Sequence, residues 1–326
     1  MNISFLFLPS SDANGNFHFE SAWVRFDNIL GSRWANVKFG KHELDTPISE
    51  KRFLALTQRG GFFELYHFLP PSTDINSFGG IGDNQLGVEV SGHSRNRYTR
   101  YSVSVLSSND GQSGLPTNQS YDFYGNVNQA FELGKLGLQR FGGYGYYGQS
   151  PTYYLTSGGV PIPGTGQGNR SFYRAGAYGI WYIKKFDVST LFLHGQDNVL
   201  LGTGTAANQI DSLPAGARAP VWNGGFAEAH YTVNPQFVLV GRYEGIRLSQ
   251  QALPVGTTLS SGATITSNYG NTDAAVVGYR WYPFMSSRAG LAFHQEYARA
   301  RMRGTSPVTG QDNTTSSFMV GFDFDF

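Results

Sequence analysis

The chain has 326 residues, of which 42 are glycine, 15% are aromatic and only 14% are charged, and its formal net charge is +1. A soluble domain ordinarily carries about 25% charged residues and about 7% glycine. The near-neutral balance gives no reason to expect nucleic acid as a partner, and the lack of cysteine removes disulfides, thiolate metal sites and covalent haem attachment. Mean hydropathy is -0.29 with no apolar run near 18 residues, which excludes a helical membrane protein but not a barrel, because lumen-facing polar residues dilute every spanning strand.

Residues 2–8 already read as a strand, and the stretch Met1 to Leu8 has neither the basic start nor the small-residue cleavage site of a leader. The chain is therefore expected to be one barrel domain over 1–326 that lacks its signal peptide and begins inside an early strand. Further strands are predicted at 17–28 and 33–43, with Ala22, Val24 and Phe26, then Ala35, Val37 and Phe39, on one face. Residues 44–83 form one long excursion. It is expected either to stay outside or to fold inward as a constriction lined by Arg52, Arg59 and Glu64. Its piece 59–68 could itself be a short strand, which would break the strand parity, require a further strand missing upstream and raise the count to sixteen.

Beyond it, strands are predicted at 84–92, 97–108, 120–132, 137–149, 171–184, 186–197, 221–233, 236–248, 272–282, 288–302 and 314–326, each rich in β-branched and aromatic residues. The total is fourteen. Most connections alternate in length: short turns such as His93-Ser94-Arg95-Asn96, Leu133-Gly134-Lys135-Leu136 and Asn234-Pro235 are interleaved with polar segments at 109–119, 150–170, 198–220, 249–271 and 303–313. Short periplasmic turns and longer extracellular loops are the known asymmetry of outer-membrane barrels, and an even count leaves both chain ends, and so the C-terminus, on the periplasmic side. In the last strand Phe318, Val320, Phe322, Phe324 and Phe326 share one face, and Asp323 and Asp325 the other. Tyr231, Tyr279 and Trp281 fall beside short turns, where an interfacial aromatic girdle belongs.

With the apolar faces turned to outer-membrane lipid, the opposite positions fall in the lumen. The predicted pore lining is Arg25, Lys38, Glu89, Arg100, Arg140, Arg174, Glu228, Arg242, Glu244, Arg280 and Glu296, with Asp122, Asp323, His230 and His294 also inward. A charge facing lipid near the midplane would cost about 2–4 kcal/mol. These residues read either as a ladder of cations facing carboxylates across a water-filled pore or as paired charges plugging a narrow lumen; about fourteen strands leave more space than side chains fill.

Other chemistries find little support. Gly164-Thr165-Gly166-Gln167-Gly168 is glycine-rich but is followed by neither Lys-Ser/Thr nor a helix, so it is not a nucleotide loop. The seven histidines never occur at the i, i+4 spacing of a metal helix, and no cofactor is expected. A rim hydrolase would need an activated serine; Ser102 and Ser104 lie on a strand near His93, but nothing marks either as a nucleophile.

The terminal aromatic of the Phe322, Phe324, Phe326 series resembles the signal that the barrel-assembly machinery reads in bacterial outer-membrane proteins. Phe39-Gly40-Lys41-His42-Glu43, followed by Pro47, resembles the early strand and loop of the phosphate-selective O/P and related porin groups, as does Trp23-Val24-Arg25-Phe26. The resemblance spans the chain in architecture but only short pieces in sequence. It implies an outer-membrane channel, trimeric if porin-like, that passes small polar solutes. It does not carry over phosphate selectivity, because lysine occurs at Lys38, Lys41, Lys51, Lys135, Lys184 and Lys185, spread over both ends. The alternative is a structural or binding barrel, such as the sheath of an electron conduit around a separate periplasmic or extracellular cytochrome.

Overall fold

Fourteen long strands build the computed structural model, which describes residues 1–11, 17–48, 54–55, 85–107, 121–152, 154–155, 161–162, 168–196, 218–250, 256, 271–286, 290–303 and 313–325. They are β1 (Asn2–Ser11), β2 (Phe17–Asp27), β3 (Asn36–His42), β4 (Gln85–His93), β5 (Thr99–Ser107), β6 (Tyr121–Glu132) and β7 (Leu138–Thr152). The second half comprises β8 (Gly168–Ile183), β9 (Phe186–Gln196), β10 (Val221–Asn234), β11 (Phe237–Gln250), β12 (Asn271–Met285), β13 (Gly290–Arg303) and β14 (Asn313–Asp325). All fourteen join one antiparallel sheet in strict sequence order, and the chain has the fold of a transmembrane β-barrel. Among the described residues, β1 and β14 each have one partner strand.

Because every neighbour in the sheet is a neighbour in the chain, each connection closes a hairpin, and apart from the short 12–16 the connections separate by length. At one end lie residues 28–35, 94–98, 133–137, 184–185, 235–236 and 286–289; at the other lie 12–16, 43–84, 108–120, 153–167, 197–220, 251–270 and 304–312. The parity holds with 43–84 as one connection. β3 starts at Asn36 rather than near residue 33, because residues 29–31 form a 3-10 turn entered through Asn28 and Leu30 at positive φ. Asn36 Oδ1 accepts from the Asn28 amide at 2.9 Å and so ties this turn to the strand it precedes.

The two-residue period explains which face is which. Phe5, Phe39, Val103, Phe123, Phe192, Val277 and Phe318 are exposed outward, as the outer wall of a membrane barrel requires. Near the short turns the outward face carries aromatic pairs: Phe141 with Trp181 (4.5 Å), Phe186 with Tyr231 (4.7 Å) and Phe237 with Tyr279 (5.3 Å).

The inward face is packed by complementing glycines with large residues on adjoining strands. The position of a Cβ on Gly142 is occupied by the Tyr178 ring, on Gly176 by the Tyr144 ring and the Phe192 carbonyl, and on Gly195 by the Trp222 indole. This accounts for a chain rich in both glycine and aromatics. Gly40, in the Phe39-Gly40-Lys41 motif, is required by the backbone instead. Its φ is +121°, and the Ala22 carbonyl fills the space a Cβ would need, so no side chain fits there. Gly40→Ala is expected to destabilise the β2–β3 hairpin by about 1–3 kcal/mol, measured as a lower urea midpoint for the folded band on an unheated gel.

Candidate functional site

The lumen wall can be followed strand by strand through the register. Arg25 pairs with Lys38, Lys38 with Glu89, Glu89 with Ser104, Ser104 with Tyr124, Tyr124 with Tyr146 and Tyr146 with Arg174, all inward. The row is charged from Arg25 to Glu89, turns aromatic at Tyr124 and Tyr146, and reaches Arg174. At its charged end Lys38 Nζ lies 3.1 Å from Glu89 Oε1, and Arg25 Nε lies 2.7 Å from Asp27 Oδ1. Here a cavity of about 550 Å³ opens, lined by Arg25, Lys38, Arg97 and Arg100 against Glu43, Asp45 and Glu89. Arg97 and Arg100 are exposed to its water.

The connection after β3 enters the lumen. Both of its described pieces beyond Glu43 sit against the inner wall, where an external excursion would not reach. The Asp45 carbonyl accepts from Tyr124 Oη at 2.6 Å and from Asn126 Nδ2 at 3.0 Å, and Leu44 and Ile48 are buried. The second piece docks on another sector: Glu228 Oε1 on β10 accepts from the amides of Leu54 (2.7 Å) and Ala55 (3.4 Å). Ala55 packs with Val240, Val276 and Ala298 from β11, β12 and β13, with Leu54 against the cluster. Arg52, Arg59 and Glu64 lie outside the described residues, as does Phe326.

Glu228 is fully buried, so its charge needs several partners. Arg242, its cross-strand neighbour, bonds Glu228 Oε2 at 3.2 Å and Glu244 Oε2 at 2.8 Å. His230 Nε2 lies 2.6 Å from Glu228 Oε1, and the Arg242 guanidinium stands 4.6 Å over the Phe226 ring. Glu228 thus fastens the incoming backbone and is itself held by Arg242 and His230, with Glu244 on the far side of Arg242. Arg174, 2% exposed, stacks 4.9 Å over the Trp222 ring and donates to the carbonyls of Tyr173 and Gln196.

The predicted lining residues all fall on the inward register but do not form one set. Arg25, Lys38, Arg100, Arg140 and Arg280 reach open space, whereas Glu89, Arg174, Glu228, Arg242, Glu244 and Glu296 are buried in the packed wall. Arg140 bonds Asn128 and the Arg97 carbonyl; Arg280 pairs with Asp323 at 3.2 Å. Phe322 and Phe324 are exposed outward. His230 and His294 stay apart, since His294 pairs with Asp323 at 3.5 Å. Among the described residues no group of side chains has the makings of a metal site, and the Ser102 and Ser104 hydroxyls are buried without a hydrogen-bond partner.

Sequence reasoning missed the apolar dock of Val240, Val276 and Ala298. It treated inward positions as polar, although the small residues at Ala274, Val276, Ala298 and Ala300 carried the signal. It also missed Asp45. This carboxyl is wetted by the cavity yet enclosed by the barrel wall, and that enclosure, with Glu89 nearby, raises its pKa above the usual carboxylate range against the pull of Lys38 and Arg100. A raised pKa means the folded chain takes up its proton first as pH falls, so the contribution favours the fold at low pH and is lost as pH rises through the raised value. The cavity also gains positive charge on acidification. Anion preference is expected to increase as pH falls through that raised value, and Asp45→Asn to flatten this dependence, as read from reversal potentials in a salt gradient.

No protein-family model and no curated protein matches the sequence. Solved structures do match in shape. The outer membrane channel DcaP of Acinetobacter baumannii aligns over 99% of this chain and 79% of its own, at 9% identity and a TM-score of 0.55. OmpT, an outer membrane protein of Vibrio cholerae, aligns over 95% of this chain and 80% of its own, at 9% identity and a TM-score of 0.56. These likenesses place the fold among outer-membrane barrels.

Proposed function

We propose that the protein is a passive channel of the bacterial outer membrane for small hydrophilic ions and solutes, with its short turns and C-terminus in the periplasm. The observation that carries this reading is the segment after β3: it is fastened to the inner wall at Asp45 and again at Leu54 and Ala55, and it borders a charged, water-accessible cavity. In this reading the strand connection folded into the lumen acts as a constriction, and the mixed charges beside it select solutes by size and sign. The similarity of fold to an outer membrane channel supports the same reading. The trimer implied by the porin resemblance belongs to it as well, and cross-linking of the refolded protein tests that part.

The deciding experiment is conductance in planar bilayers. The refolded chain is expected to give discrete current steps; inserted protein, verified by its heat-modifiable gel mobility, that gives none would overturn the proposal. The second reading, a structural or conduit barrel, draws on the packed inner wall of Tyr144, Tyr146, Tyr178, Trp222 and Phe226. Silent bilayers together with co-purification of a haem protein would favour it.

A further inference from the structure

The two ends of the sheet carry opposite charge. Every charged residue in the short connections is basic: Arg33, Arg95, Arg97, Lys135, Lys184 and Lys185, joined by Arg288 in 286–289. The long connections hold eleven acidic residues and four basic ones. With 24 basic and 23 acidic residues in the whole chain, this division follows position in the fold rather than composition. Arg97 turns to the inner cavity, whereas Arg33, Arg95, Lys135, Lys184 and Lys185 are exposed on the rim itself. The carboxylates close to them sit at strand ends: Glu132 accepts from the Tyr98 hydroxyl, Asp27 lies 2.7 Å from Arg25, and Asp187 takes an inward position opposite His230.

Apolar side chains stand beside the cations of three of these turns. Leu30, 99% exposed, shares the first turn with Arg33 and with Trp34, whose ring stacks 6.2 Å from Tyr101. Exposed Leu133 and Leu136 bracket Lys135, and exposed Ile183 and Phe186 bracket Lys184 and Lys185. Leu30 has a φ of 54°, where asparagine or glycine is the usual occupant, so neither turn geometry nor a contact within the chain accounts for a leucine there. An apolar tip beside a cation suits a bilayer interface, where the hydrocarbon settles among lipids and the charge stays at phosphate level. The turns are tight enough to hold the cations at that level. Lys184 and Lys185 follow the last register pair, Ile183 with Phe186, and so lie about 3.3 Å beyond the outward aromatic row. Lys185 Nζ is fixed there by donating to the Val233 carbonyl at 2.9 Å. Successive hairpins are two strand spacings, about 10 Å, apart, so the basic turns between β2 and β9 describe an arc of about 30 Å.

We infer that this short-turn rim between β2 and β9 binds the phosphate headgroups of anionic phospholipids in the leaflet it meets. Arg33, Arg95, Lys135 and the Lys184–Lys185 pair face the phosphates, and Leu30, Leu133, Leu136 and Ile183 seat the turns among the chains below. The inference rests on the outer-membrane reading above.

The full chain, refolded into vesicles of equal phosphatidylglycerol and phosphatidylcholine and then extracted, is expected to retain phosphatidylglycerol preferentially, as read by native mass spectrometry. Each cation near an anionic surface contributes about fivefold, so Lys135→Gln should lose about fivefold of that preference and K184Q/K185Q about twenty-five-fold. Lys135→Gln alone decides the matter if the double variant does not fold. Equal retention of the two lipids, or a preference unchanged by Lys135→Gln, overturns the inference and leaves the channel reading standing. Loss of binding to soluble poly-glutamate in K184Q/K185Q, with its lipid preference intact, assigns the rim to an acidic protein partner and likewise overturns it. A chain that keeps the preference but passes no current upholds the inference and sinks the channel reading, and one that inserts into no vesicle overturns both.

Discussion

Replacing Glu228 by alanine is expected to enlarge the unit conductance and to cost about 3–5 kcal/mol of stability, the usual consequence of removing one partner from a buried ionic group. Two losses coincide in this one side chain. The Leu54 and Ala55 amides lose their acceptor, which frees the inward segment from the β10 wall, and Arg242 loses half of its carboxylate partnership, keeping Glu244. Glu228→Gln separates the two: the amide oxygen still accepts from the Leu54 and Ala55 N–H groups, so conductance should stay near the parent value while stability falls. Urea midpoints and single-channel steps read the two effects independently. A Glu228→Ala channel with parental steps would show that the segment does not restrict flow. Because the chain has no cysteine, Ala55→Cys with Ala298→Cys offers the converse test, since a short thiol cross-linker should restore the parental steps in the Glu228→Ala background.

Arg100→Glu is expected to shift ion preference toward cations. The cavity beside the inward segment sets four cations, Arg25, Lys38, Arg97 and Arg100, against three carboxylates, Glu43, Asp45 and Glu89. The present margin is a slight positive excess, and a two-unit change at an exposed position reverses it. A unit charge at about 4 Å in water is worth roughly 1 kcal/mol, so the anion-to-cation permeability ratio should fall at least about fivefold at low salt. It should fall less at high salt, where the Debye length shortens. Arg100→Ala should give about half the shift in free-energy terms. Reversal potentials under a salt gradient measure both, and an unchanged ratio would place the selective charges elsewhere along the path.

Strand number and face were legible because they depend on a two-residue period that survives in any local window: Leu86, Val88 and Val90 point out and Glu89 in, whatever surrounds them. Partnership inside the lumen was not legible. Glu228 is an inward acid by register alone, but its role depends on Leu54, 174 residues away in sequence, and no local pattern encodes that pairing. The lumen also proved to be of two kinds. Gly142, Gly176 and Gly195 take aromatic rings from neighbouring strands, so the wall from β6 to β10 is filled, while that from β2 to β5 stays open and charged. The abundance of glycine and aromatics was visible as a departure from soluble composition, but its cause needs the register that brings each glycine beside a ring.

The fastening of Leu54 and Ala55 to Glu228 also orders events in time. Every strand pair of the sheet joins chain neighbours and can zip as the polypeptide arrives, with little loop-closure entropy to overcome. The clasp on β10 to β13 is the exception, for its receiving wall is built from residues that emerge long after the segment they hold. Leu54 and Ala55 have their acceptor and their apolar dock only where the sheet brings Glu228, Val276 and Ala298 beneath them. In the proposed channel the bore is thus set by a contact that spans 174 residues of sequence.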